Sequence, residues 1–281
     1  MINNYITDDL IDNFKKYLFQ QEKSNLTIQK YLRDVNTFKK YSKDLPITKE
    51  TVISYKQYLI DKGYSTLSIN SMLASINSLF TYLKLNDLRV KSIKVQRQIF
   101  CKEEKELSKE EYKRLCKIAK QNKNYRLNLI IQTICATGIR VSELKYITVD
   151  ALRKSEVLVN CKGKIRSIFI IPELKKKLLR YINNQSINKG SIFITKKGNP
   201  ISRTNIWKEM KALCNKANVN PHKVFPHNLR HLFARVFYAI EKDIAKLADI
   251  LGHSSINTTR IYIVSTGIEH KTCMKNMKLI I

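Results

Sequence analysis

The chain has 281 residues, long enough for two domains or one large one. Hydrophobic residues make up 43% and charged residues 27%, an ordinary globular balance, and no run reaches the ~20 apolar residues of a membrane span. Lys and Arg number 52 against 23 Asp and Glu, a net charge of +29 that favours a polyanion, most often nucleic acid, as partner.

Both parts of the chain are basic. Residues 1–100 carry 16 basic against 9 acidic side chains, and residues 101–281 carry 36 against 14. An anionic membrane surface is the weaker option, because no basic amphipathic helix stands apart. The opening MINNYITDDL has early acids and no apolar signal core, so a cytoplasmic, nucleoid-associated protein is expected. Six cysteines (Cys101, Cys116, Cys135, Cys161, Cys214, Cys273) are scattered without paired C-x-x-C spacing, which points to reduced thiols and no metal.

Residues 1–95 read as four helices. Thr7 can cap DDLIDNFKKYLFQ, whose Leu10, Phe14, Tyr17 and Leu18 share a stripe. Asn25 or Thr27 opens a second helix, Pro46 precedes a third closed by Gly63, and Ser65 starts a fourth. The basic, aperiodic stretch that follows contains a linker at 96–106. Ser108 and Glu111 then form a capping-box pattern at the start of a second domain, 107–281. An apolar helix should end at Gly138, and EVLVN and IRSIFII should pair across a turn at CKGK. Pro172 suits a first helical turn, SIFIT at 191–195 reads as another strand, and helices dominate from Thr204. The expected fold class is mainly α (α+β), a four-helix domain followed by a helical domain with a small antiparallel β-hairpin.

Three islands stand out in the second domain. In ATGIRVSEL, Arg140 and Glu143 fall at i, i+3 on one face of a helix. In HNLRHLFA, His227 and Arg230 share a face, while Leu229, Phe233 and Val236 can face the core. An imidazole beside a guanidinium is a poor structural pair and a good anion site. In LGHSSINTTRIY, Gly252 should stop a helix, Ser255 or Asn257 can cap the next, and Tyr262 follows His253 by nine positions. Alone, each island reads as a surface ion pair, a solvated helix start or a packed tyrosine. Together they supply a nucleophile and fixed cations, the two things that phosphoryl transfer without metal needs.

The ordered set TGIRVSEL, CKGK, HNLRHLFA and LGHSSINTTRIY resembles the tyrosine recombinase (phage integrase) family, Xer-like or mobile-element members above all. The resemblance implies a core-DNA-binding domain followed by a catalytic domain, the two forming a C-shaped clamp on double-stranded DNA. It implies that Arg140 and Arg230 hold the scissile phosphate, with His227 and His253 beside them, and that Tyr262 is the nucleophile. Lys162 matches the hairpin lysine that protonates the leaving 5′-oxygen. Because the hairpin here is one residue shorter than the family's G-K-G-x-K pattern, Lys164 is the alternative. Glu143 matches an acidic residue that orients the site, and His231 supports it. No cofactor is implied. The family's partners would be four protomers on two DNA sites, with accessory DNA-bending or directionality proteins. A C-terminal segment containing Met274, Met277, Leu279 and Ile280 would dock on a neighbour. Two other classes stay open: a type IB topoisomerase-like relaxase, and a basic DNA-binding protein without catalysis.

Overall fold

A computed structural model of the chain describes residues 5–43, 45–94, 105–154, 156–161, 164–262 and 275–277, without the side chains of Cys161 and Lys164. The chain forms two compact units, Met1–Arg97 and Gln98–Ile281. The fold is mainly α with one small antiparallel hairpin. No described helix is long and apolar enough to cross a membrane.

In the first unit, α1 (Asp8–Gln20), α2 (Asn25–Tyr41), α3 (Lys49–Asp61) and α4 (Thr66–Tyr82) each begin on a hydroxyl cap. Thr7, Ser24, Thr48 and Ser65 accept from the backbone N–H three residues on. Each such cap stabilises by about 1 kcal/mol. Ser24, rather than Asn25 or Thr27, opens α2, because it alone precedes the helix with extended backbone. The helices close over Phe14, Leu18, Val35, Phe38, Val52, Tyr55, Leu59, Ile76, Leu79 and Phe80, all fully buried. The buried carboxylate of Asp34 accepts from Lys30 Nζ at 2.7 Å and from Ser75 Oγ at 2.9 Å, which pins α2 to α4. Beyond α4, the side-chain amides of Asn77 and Asn70 bond both backbone groups of Val90 and of Ile93, so extended chain is stitched onto the helix.

The second unit begins with α5 (Lys109–Gln121), where the Ser108–Glu111 capping box forms in both directions. Next comes α6 (Tyr125–Thr137), whose Leu127, Ile130, Ile131 and Ile134 lie at the centre of the core. Gly138 ends it with a left-handed φ of 63°. A 3-10 helix, Val141–Tyr146, leads to α7 (Val149–Lys154). β1 (Glu156–Cys161) and β2 (Lys164–Phe169) pair antiparallel, with Glu156 opposite Phe169 and Cys161 opposite Lys164. Then follow α8 (Pro172–Asn184), α9 (Arg203–Ala217), α10 (Pro226–Glu241), α11 (Ile244–Leu251) and α12 (Ile256–Arg260).

Two sequence expectations fail locally. The SIFIT segment is not a strand. Ser191 and Ile194 make only isolated bridges, to Thr148 and Pro200, while Ile192 and Phe193 are buried. Its β-branched character reflects burial, since no neighbouring strand extends the ladder. Arg140 is not on a helix face with Glu143 but caps the 3-10 turn in extended conformation.

Candidate active site

α10 presents three faces. Leu229 and Leu232 enter the main core, with Val236 packed at its edge. Ala234 joins a smaller cluster with Leu247, Leu251 and Tyr262, where Phe233 and Phe237 also pack. The helical repeat places His227, Arg230 and His231 together on the third. Arg230 is only 2% exposed, although a guanidinium is costly to bury without partners. It donates to the Gly138 carbonyl, to Leu251 O at 2.7 Å and to His253 Nε2 at 3.0 Å. Burial and then the charge of Arg140 push its pKa down to about 10, which leaves it charged at neutral pH.

The end of α11 explains how several guanidiniums converge. The last carbonyls of a helix have no partner within it. The N–H groups of Gly252 and His253 satisfy Asp249 and Ala248. The next three carbonyls each take a different arginine: Ile250 O accepts from Arg166 Nη1 at 2.6 Å, Leu251 O from Arg230, and Gly252 O from Arg140 Nη2 at 3.2 Å. The negative end of the helix dipole thus offsets part of the repulsion among three cations.

Glu143 offsets more of it. This carboxylate is 2% exposed and accepts from the Arg140 amide and Nη1, both at 2.9 Å, and from Arg166 Nη2 at 2.6 Å. Burial would raise its pKa, but the Arg140 amide and the Arg166 and Arg140 guanidiniums outweigh it and hold the carboxyl below its ordinary range. Three guanidiniums against one carboxylate leave a net positive site suited to an oxyanion.

His253 follows the left-handed Gly252, whose φ is 63°. Because Arg230 can only donate, His253 Nε2 must accept, so the proton resides on Nδ1 and is given to Thr259 Oγ1 at 2.8 Å. Thr259 is fully buried in α12, and its carbonyl accepts from Tyr262 N at 2.9 Å. Ser255 caps α12. Tyr262 is 6% exposed and sits among three imidazoles, with ring centroids 4.2 Å from His231, 5.4 Å from His253 and 5.5 Å from His227. Its phenol also interacts with Arg230.

Burial and the neighbouring cations push His231 and His253 down to about 4, and His227 shifts the same way. Unfolding would return these imidazoles to about 6.5, so below that pH the unfolded chain binds protons that the folded one refuses. Stability is therefore expected to be full above pH 6.5 and to fall as pH drops towards 4. Replacing His231 with Phe should shallow that fall. A thermal midpoint with the same pH slope in both proteins would contradict this account.

The structure brings together Arg140, Glu143, His227, Arg230, His231, His253 and Tyr262. Lys162 lies outside the described residues. Lys164 is the first residue of β2, and its side chain is outside the described part as well. Of the expected docking segment, Met274, Leu279 and Ile280 lie outside the described residues, and Met277 is exposed.

Three residues near the site lie outside the sequence motifs. Arg166 sits on the inward face of β2 opposite buried Val159, and a charge at an inward strand position is a signal that the alternation could have given. Arg203 and Trp207 lie on α9 and line, with Arg140, Phe225, His227 and Arg230, a cavity of about 400 Å³. Nothing in the local pattern of α9 marks them, since their neighbours across the cavity are far away in sequence.

Residues 105–267 match the phage integrase family, and residues 11–86 match its N-terminal SAM-like domain. The chain belongs to the phage integrase family of tyrosine recombinases. The tyrosine recombinase XerH of Campylobacter jejuni is 34% identical over 166 residues, 56% of this chain and 47% of that protein. The chain spans about half the length of the first curated relatives it matches. A crystal structure of XerH bound to a palindromic difH substrate superposes with a TM-score of 0.73 at 19% identity, covering 97% of this chain and 84% of that one. A lambda integrase tetramer bound to a Holliday junction gives 0.74 at 16% identity, covering 92% and 78%. At those identities the superpositions establish the fold.

Proposed function

We propose that the protein is a site-specific DNA recombinase that cuts and rejoins strands through a 3′-phosphotyrosyl intermediate. The observation that carries this reading is the phenol of Tyr262 enclosed by three imidazoles beside three guanidiniums, two of which share the carboxylate of Glu143. Arg140 and Arg230 hold the non-bridging oxygens of the scissile phosphate, His227 adds a hydrogen bond as charge grows there, and His253 stands beside them, holding the Arg230 fork through Nε2. Tyr262 Oη gives up its proton to one of the imidazoles around it and attacks phosphorus, and the bond to the 5′-oxygen breaks. Lys162, or Lys164, gives that oxygen its proton. A 5′-hydroxyl from the partner strand then attacks the phosphotyrosyl bond and releases the phenol. Each step exchanges one phosphate ester for another, so no ATP is required, and the guanidiniums supply the positive charge that a metal ion would otherwise bring. Glu143 and His231 support the site.

The unit Met1–Arg97 serves as the core-DNA-binding domain and Gln98–Ile281 as the catalytic domain, joined through the stretch near 96–106. Four copies act on two double-stranded sites through a Holliday junction, as the lambda integrase assembly suggests, with the C-terminal segment docking on a neighbour and accessory proteins setting direction. A nucleoid-associated, cytoplasmic setting follows from DNA as substrate.

The test is covalent trapping. DNA flanking the gene is presented as a nicked suicide substrate, and a protein–DNA band stable to denaturant, yielding phosphotyrosine on hydrolysis, is expected without metal or ATP. Tight binding with no such band would leave only the non-catalytic reading.

A further inference from the structure

Arg166 makes two short guanidinium contacts within the cluster, and the family's expected catalytic set does not include it. It stands on β2, with its side chain largely enclosed. Nη1 bonds Ile250 O at 2.6 Å and Nη2 bonds Glu143 Oε2 at 2.6 Å, so one planar fork ties the hairpin to two elements far away in sequence. The fork leaves no slack. A methyl group added at Gly252 would collide with Arg166 Cδ, and both ends of the guanidinium are anchored, so the side chain cannot swing aside freely.

These contacts bear on the residues that meet the phosphate. Glu143 Oε2 is shared between the Arg140 amide and Arg166, and Oε1 takes Arg140 Nη1. Arg166 therefore draws off part of the carboxylate charge that would otherwise fall on Arg140 alone. Through Ile250 it also sets the turn that carries Gly252 and His253.

We propose that Arg166 is a positioning residue for strand cleavage: it divides the charge of Glu143 and fixes the Ile250–Gly252 turn, so that Arg140 and, held by His253, Arg230 meet the phosphate together. The proposal rests on the reading of the site as a DNA strand transferase. It does not require Arg166 to touch DNA.

The experiment compares wild type, Arg166→Met and Arg166→Lys in the full chain on the nicked suicide DNA. It measures thermal midpoint, DNA affinity, and single-turnover adduct rate at saturating DNA from pH 4 to 8. Arg166→Met should bind DNA as wild type and form adduct roughly 100-fold more slowly, the scale of an ångström-size misplacement. Arg166→Lys, able to hold one acceptor at a time, should recover part of that rate. The charged groups facing Glu143 are Arg140 from its own turn and Arg166 from β2. With Arg166 gone the carboxylate should take up its proton at higher pH, and the acid limb of the adduct rate should move up with it. A purely structural role would leave that limb in place.

The inference fails if Arg166→Met forms adduct at the wild-type rate, or if the deficit vanishes at saturating DNA. It also fails if an unfolded fraction accounts for the whole loss in both variants, or if the acid limb stays where wild type has it. A wild-type chain that forms no adduct sinks the reading of the site, and this inference with it.

Discussion

A Tyr262→Phe chain is expected to fold, to bind DNA as the wild type does, and to form no covalent adduct, because the phenyl ring has no oxygen to bond phosphorus. The ring of Tyr262 fills a site walled by His227, His231 and His253 and by the cluster of Ala234, Leu247 and Leu251. Phenylalanine keeps every one of those ring contacts and loses only the hydroxyl. Binding by the arginines should survive, because Arg140, Arg166 and Arg230 are held by carbonyls 252, 250 and 251 and by Glu143, not by the phenol alone. The measurement pairs gel-shift affinity with denaturing detection of the adduct. An undiminished adduct in Tyr262→Phe would remove Tyr262 from the chemistry. Loss of binding and adduct together would mean that the hydroxyl had been holding the arginine cluster.

The helix boundaries were legible because their causes are local. Thr7, Ser65 and the Ser108–Glu111 pair are read from residues three apart, and each forms the cap its spacing predicts. The hairpin was legible from alternation broken by CKGK. The grouping of Arg140, His227, Arg230, His253 and Tyr262 came from the order of the motifs, since no periodicity brings residues 140 and 262 together. What escaped is what depends on distant backbone. The three successive carbonyls at the end of α11 are invisible in the letters I-L-G, yet they orient three arginines drawn from three other elements. The same holds for Arg203 and Trp207, which share a cavity with Arg140 only once α9 is in place. SIFIT failed in the opposite sense. A run of β-branched residues shows that a segment is buried, and it does not show that a second strand lies alongside.

Arg230→Lys, conservative in charge, is expected to cost both stability and activity. The guanidinium of Arg230 spans from the Gly138 carbonyl on one side to Leu251 O and His253 Nε2 on the other. An ammonium on a single stem cannot span those acceptors, so at least one buried carbonyl or the imidazole loses its donor. An orphaned buried acceptor costs about 2 kcal/mol, which in a unit of this size lowers the thermal midpoint by about 4–8 °C. The orientation of His253 depends on the same bond, because its Nε2 accepts only while a donor stands opposite it. With that donor displaced, the Nδ1 proton that now faces Thr259 is free to move to Nε2, and both bonds that fix the ring are lost. Cleavage should fall by roughly 10²–10³, the effect of removing one oriented donor from a charge that develops in the transition state. DNA affinity should change far less, since a buried side chain that is 2% exposed contributes little to the outer field that attracts the polyanion. Wild-type cleavage in a stably folded Arg230→Lys chain would show that charge alone suffices at this position, and the role of the planar fork would have to be given up.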